Sequence, residues 1–231
     1  MFVDRVFLTW HSTTSLAAAL PAGFASFTIV SLFMGTVQYA NTFVAQYAGA
    51  ARPKQIGPVI WQGVYLSIFS GIIALIPSYF AKDIFDWIGH APEIRNEEIT
   101  YFRITCYGVG PQVLATAMSC FFSGRGQTNI VLVVNAISIS INIILDYALI
   151  FGRWGFPSMG IEGAAWATNS GLLVSAILFC ILFFRNEHRH IYATLSGWKR
   201  DLALTKRMIY YGGPNGINFF LDIMAFTFFI L

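Results

Sequence analysis

The chain has 231 residues, of which 56% are hydrophobic and 11% charged, and its formal net charge is +3. A soluble globular chain carries about 25% charged residues, so too few are present to cover a water-facing surface, and a soluble enzyme is excluded. The three cysteines, Cys106, Cys120 and Cys180, lie inside apolar blocks without zinc-ligand or redox spacing and read as small buried hydrophobes.

Seven apolar segments follow in order, at 2–10, 16–47, 56–80, 98–122, 130–151, 160–184 and 208–231. A bilayer core of about 30 Å takes about 20 apolar residues per helical span, and six of these blocks approach or exceed that length. The expected fold class is therefore all-α, a polytopic membrane helix bundle. The first segment would rise only about 14 Å at 1.5 Å per residue, half a bilayer, and the seventh is still apolar at Leu231. Both ends read as cut, so a fragment of a longer protein is expected. The initial residues lack the basic start and small-residue cleavage site of a signal peptide.

The turns carry glycine and proline where breaks are needed, at 49–54, 124–128 and 153–157. Residues 82–97 are mixed in charge and partly amphipathic, which predicts a segment lying along the membrane interface. Within spans, Gly108-Val109-Gly110-Pro111 and Gly212-Gly213-Pro214 predict bends. Gly160, Gly163, Ala164, Ala165 and Ala167 predict a close helix contact. Alternate loops differ in basic residues: Arg52, Lys54, Arg125, Arg185, Arg189, Lys199, Arg200, Lys206 and Arg207 fall on one side, and only Lys82, Arg95 and Arg153 on the other. The positive-inside rule assigns the first set to the cytoplasm. Its basic loop reads as topology and lipid contact rather than nucleic-acid binding.

Charges inside spans are the informative exceptions. An aspartate at a helix centre costs about 2.5–3.5 kcal/mol on insertion scales, so it faces a protein interior or a wet cavity. Asp4, Asp146 and Asp222 are of this kind. Asn142 and Asp146, four apart, share one helix face, and their oxygens suit either a small hard cation or a proton held by a buried carboxylate. Arg5 is placed to neutralise a nearby carboxylate and Arg103 to snorkel to the outer end of its span. His188 and His190 have no further ligands nearby, and the Gly124-Arg125-Gly126 turn lacks the Lys-Ser/Thr of a phosphate loop. No nucleophile–base arrangement or cofactor motif is present, so neither an enzyme nor a cofactor is expected.

The run Asn142-Ile143-Ile144-Leu145-Asp146-Tyr147-Ala148-Leu149-Ile150-Phe151-Gly152 resembles the fifth helix of multidrug and toxic compound extrusion (MATE) transporters. So does Gly155-Phe156-Pro157-Ser158-Met159-Gly160-Ile161-Glu162-Gly163-Ala164-Ala165-Trp166-Ala167-Thr168. Val3-Asp4-Arg5, Gln46 with Gly49-Ala50, Gly110-Pro111 and the turn 123–128 match in family order. The resemblance implies two six-helix lobes around a central cavity. This chain would supply an N-terminal lobe at 1–184, a cytoplasmic interlobe loop at 185–207 and the start of the C-terminal lobe at 208–231, its natural partner being the missing C-terminal lobe. Phe2-Val3-Asp4 and Phe220-Leu221-Asp222 echo one another at the openings of the two halves.

Carried over by position, the resemblance implies a sodium or proton site formed by Asp4, Asn142, Asp146 and Thr168. Tyr101 would lie nearby, and Asp222 matches an acid, usually glutamate, of a second cation or substrate site. The implied function is a secondary antiporter of the bacterial inner membrane that exports amphipathic or cationic drug-like compounds in exchange for sodium ions or protons. Two alternatives stand beside it: a flippase of a lipid-linked saccharide, which would carry basic rather than acidic cavity residues, and a seven-helix receptor.

Overall fold

A computed structural model describes residues 2–199 and 201–230. Among them every regular element is helical: α1 (Phe2–His11), α2 (Thr13–Gln38), α3 (Ala40–Gly49), α4 (Ile56–Tyr79), α5 (Ala81–Ile88), α6 (Pro92–Tyr107), α7 (Val109–Ser123), α8 (Thr128–Phe151), α9 (Gly160–Phe183), α10 (Asn186–Ile191) and α11 (Leu202–Ile230). Two 3₁₀ turns, Pro53–Gln55 and Ser196–Trp198, complete the order. Four helical stretches are long and apolar enough to cross a membrane: Thr13–Gly49, Pro53–Tyr79, Thr128–Phe151 and Gly160–Phe183.

The remaining predicted segments are built differently, for local reasons. Segment 98–122 is two helices, α6 and α7, meeting at Gly108. There Gly108 N donates to Thr105 O at 3.0 Å, leaving the Ile104 carbonyl without its usual i+4 donor, and Asn169 of α9 supplies one from Nδ2 at 2.5 Å. A side chain on Gly108 would collide with Asn169, so the glycine, the break and the asparagine form one arrangement. Pro214, by contrast, lies inside an unbroken α11. That helix begins at Leu202 rather than near Met208, because the Asp201 carboxylate caps it by accepting from Leu204 N at 3.0 Å. Asn215, Asn218 and Asp222 dilute its apolar character.

Residues 82–97 divide between α5 and the first turns of α6. Phe85 of α5 packs edge-on against Phe102, with ring centroids 5.5 Å apart, while Trp87 is 86% exposed. The α5–α6 turn is closed by Arg95–Asp86 at 3.0 Å and by His90 Nδ1 lying 2.8 Å from Glu98 Oε1.

Lipid tails are as apolar as leucine, so helices in a bilayer associate through close packing and hydrogen bonds rather than hydrophobic gain. Glycine provides the packing here. A Cβ on Gly35 of α2 would sit 2.8 Å from Gly216 Cα of α11, and Asn215 Nδ2 donates to Gly35 O at 2.7 Å across the same seam. One core gathers Met118, Phe121, Phe122, Phe179 and Phe183, and a second gathers Leu8, Phe85, Phe102, Ile150 and Ile161.

Residues 192–198, between α9 and α11, are docked on α4. Gly57 N donates to Tyr192 O at 2.9 Å, Trp61 Nε1 to Thr194 O at 2.7 Å, and the Tyr65 hydroxyl to Trp198 O, all from α4. From the α7–α8 turn, the Arg125 guanidinium lies 3.7 Å from the Phe121 ring centre and 4.4 Å from that of Tyr192.

Candidate functional site

Along α8, Val134 belongs to the first core and Ile150 to the second; Ser138, Asn142 and Asp146 lie between them at intervals of four, on one face. The close contact predicted for the small-residue surface of α9 is present, and its partner is α8. A Cβ on Gly163 would meet the Leu149 backbone at 2.8 Å, and one on Gly171 would sit 3.1 Å from Asn142 Cβ. Ser138 Oγ donates to Gly171 O at 2.6 Å and ties the two helices at that level. This approach places Thr168 of α9 against the α8 stripe, while α1 contributes Asp4 and α6 contributes Tyr101.

Asp4 is 3% exposed, Tyr101 5% and Asp146 0%. Thr168 Oγ1 donates to Asp4 Oδ2 at 3.3 Å. The Asp146 carboxylate adjoins both Asp4 and Asn142, and the Tyr101 hydroxyl lies within the field of both acids. Two acidic side chains from different helices thus meet in the protein interior. Neither Asp146 oxygen nor Asn142 Nδ2 has a hydrogen-bond partner among the described residues. Unsatisfied polar atoms in a buried site are costly.

Asp4, Tyr101, Asn142 and Thr168 line a cavity of about 290 Å³ that they share with apolar Phe27 and Ile139. A second cavity of about 180 Å³ meets Asp4 and Tyr101 from another side and includes Arg5. Asp146 is fully buried, lines neither cavity and adjoins Asp4 and Asn142. The structure thus brings Asp4, Tyr101, Asn142, Asp146 and Thr168 together. Asp222 stands apart, exposed on α11 and outside both cavities.

Five polar lining residues escaped the sequence reading: Ser26, Thr105, Gln112, Ser138 and Asn169. Ser138 carried a usable signal, since it precedes Asn142 by four. Thr105 likewise follows Tyr101 by four on α6. Asn169 and Gln112 carried none, because what places them is the break at Gly108 and the packing of α7.

The MatE family profile matches residues 1–148. The chain belongs to the MatE family. It is 25% identical over 231 residues to the "Probable multidrug resistance protein NorM" of Neisseria meningitidis serogroup A, an alignment covering 99% of this chain and 50% of that protein. It is 27% identical over 231 residues to the "Multidrug resistance protein PmpM" of Pseudomonas aeruginosa, covering 98% of this chain and 48% of that one. Among solved structures it superposes on the inward-facing conformation of a multidrug resistance MATE family transporter of the MOP superfamily. The TM-score is 0.86 at 21% identity, covering 98% of this chain and 51% of the other. An outward-facing conformation gives a TM-score of 0.79 at 21% identity, covering 94% and 48%. The chain spans about half the length of the curated relatives it matches. It is an integral membrane protein with the fold of the MATE transporter it superposes on.

Proposed function

We propose that the chain is the first lobe, with the opening helix of the second, of a multidrug efflux antiporter of the bacterial inner membrane. The complete transporter exports amphipathic, often cationic compounds in exchange for sodium ions or protons. The observation that carries this reading is the meeting of Asp4 and Asp146 at the edge of a half-apolar cavity, with both Asp146 oxygens lacking partners among the described residues. In this reading an incoming cation neutralises the pair. Asn142 and Thr168 contribute neutral oxygens, and Tyr101 a hydroxyl at the cavity wall.

With both carboxylates ionised, α1 and α8 would be pushed apart; neutralisation removes that push, so the two helices settle differently with and without the cation. A conformation stabilised in this way expels drug only if it binds drug more weakly than the other does, since differential affinity is what drives release. The names of the relatives support the multidrug substrate class. The larger cavity has no Lys or Arg in its lining, which weighs against an exporter of lipid-linked saccharides.

The test is drug efflux from proteoliposomes holding the complete transporter, with sodium and proton gradients imposed separately. Asp4→Asn and Asp146→Asn are each expected to abolish the gradient-driven component, and Thr168→Ser to preserve more of it than Thr168→Val. Full coupling in both aspartate variants would overturn the site.

A further inference from the structure

The end of the bundle bearing α5 is the one that charge asymmetry leaves poor in basic residues, so the cations found there call for an explanation. Arg95 is engaged by Asp86 at 3.0 Å. Lys82 and Arg103 instead converge on one open cleft of about 590 Å³, formed by the last turn of α4, the first turn of α5 and the later turns of α6. Ser78, Tyr79, Asp83 and Tyr107 complete its polar lining. Neither Lys82 nor Arg103 has an ion pair among the described residues. Two cations and one carboxylate leave a formal excess of one positive charge, the complement of a single phosphodiester.

The surroundings belong to a membrane interface. Tyr79 is 79% exposed and Trp87 86% exposed, and Tyr107 stacks on Trp166 at 6.4 Å between ring centres. Such amphipathic rings sit at headgroup level. From the cleft, Leu75, Ile72 and Ile68 of α4 form an exposed apolar stripe of helical spacing leading away from Tyr79.

We infer that this cleft binds an anionic phospholipid. Lys82 and Arg103 hold its phosphodiester by charge-assisted hydrogen bonds, the tyrosine hydroxyls contact the ester region, and an acyl chain lies along the α4 stripe. The stripe favours a lipid over a free phosphate ion, and the excess charge favours an anionic over a zwitterionic headgroup.

Native mass spectrometry of the full chain, titrated with phosphatidylglycerol, phosphatidylethanolamine or phosphatidylcholine of matched chains, tests the inference. Phosphatidylglycerol is expected to bind first and tightest. Lys82→Gln and Arg103→Gln should each weaken it about fivefold, the scale of one basic residue near a membrane surface. Asp83→Asn should tighten it, and all three variants should bind phosphatidylcholine as the parent does, which controls for folding. Equal affinity for the three lipids, a preference for phosphatidylethanolamine, a preference for phosphatidylglycerol that survives both Gln substitutions, or displacement by millimolar inorganic phosphate alone would overturn it.

Discussion

At the scale of single residues, Asn169 shows how a broken helix is made tolerable inside a membrane. Its amide donates to the Ile104 carbonyl that the break at Gly108 leaves without its usual donor. Replacing it by leucine leaves that buried carbonyl without its side-chain donor, at a cost of about 1–3 kcal/mol. Asn169→Leu is therefore expected to lower the melting temperature of the chain in detergent; an unchanged melt would mean that the carbonyl finds another partner. The neighbouring Thr168 was legible in sequence because it sits in a motif, and Asn142 with Asp146 because four-residue spacing means a shared face. Asn169 was not legible, since its role is defined by a backbone atom 65 positions away in the chain. Asp222, matched to a separate second site, was noticeable as an acid in an apolar run, and on α11 it is exposed.

Among the elements, the seam between α2 and α11 depends on absent side chains. Gly35 and Gly216 let the two backbones meet, with Thr28 and Thr227 hydroxyls 2.6 Å apart further along. Gly216→Val would drive a branched side chain into Thr36 and Leu32. Overpacking of this kind costs about 1–3 kcal/mol. A disulfide engineered between α2 and α11 should then form more slowly in the G216V variant than in the parent; equal rates would show that the seam does not need the glycine. Apolar block length located α4, α8 and α9 to within a few residues, because each is one uninterrupted span. It was less informative for α11, whose start is set by the Asp201 cap and whose first turns carry Lys206 and Arg207. It also joined α6 to α7, because glycine and proline announce a bend without saying whether the helix survives it. At Gly108 the helix stops; at Pro214 it continues.

Along α8 two apolar cores flank a polar stretch, and the loops at the two ends of the molecule differ in charge. The positive-inside rule predicts opposite accessibility for cysteines placed at Lys199 and Lys82. In cells, a membrane-impermeant maleimide should label K82C from outside and label K199C only after permeabilisation; the reverse pattern would invert the proposed orientation. The packing of the crossover against α4 has a mechanical consequence. Trp61, Tyr65 and Gly57 hold residues 192–198 at several points, so the passage from α9 to α11 is geared rather than slack. A displacement of α11 that reaches residues 192–198 pulls on the opening turns of α4. Splicing a run of glycines into that passage would let the two slip past each other while leaving every side chain of the carboxylate chamber unaltered.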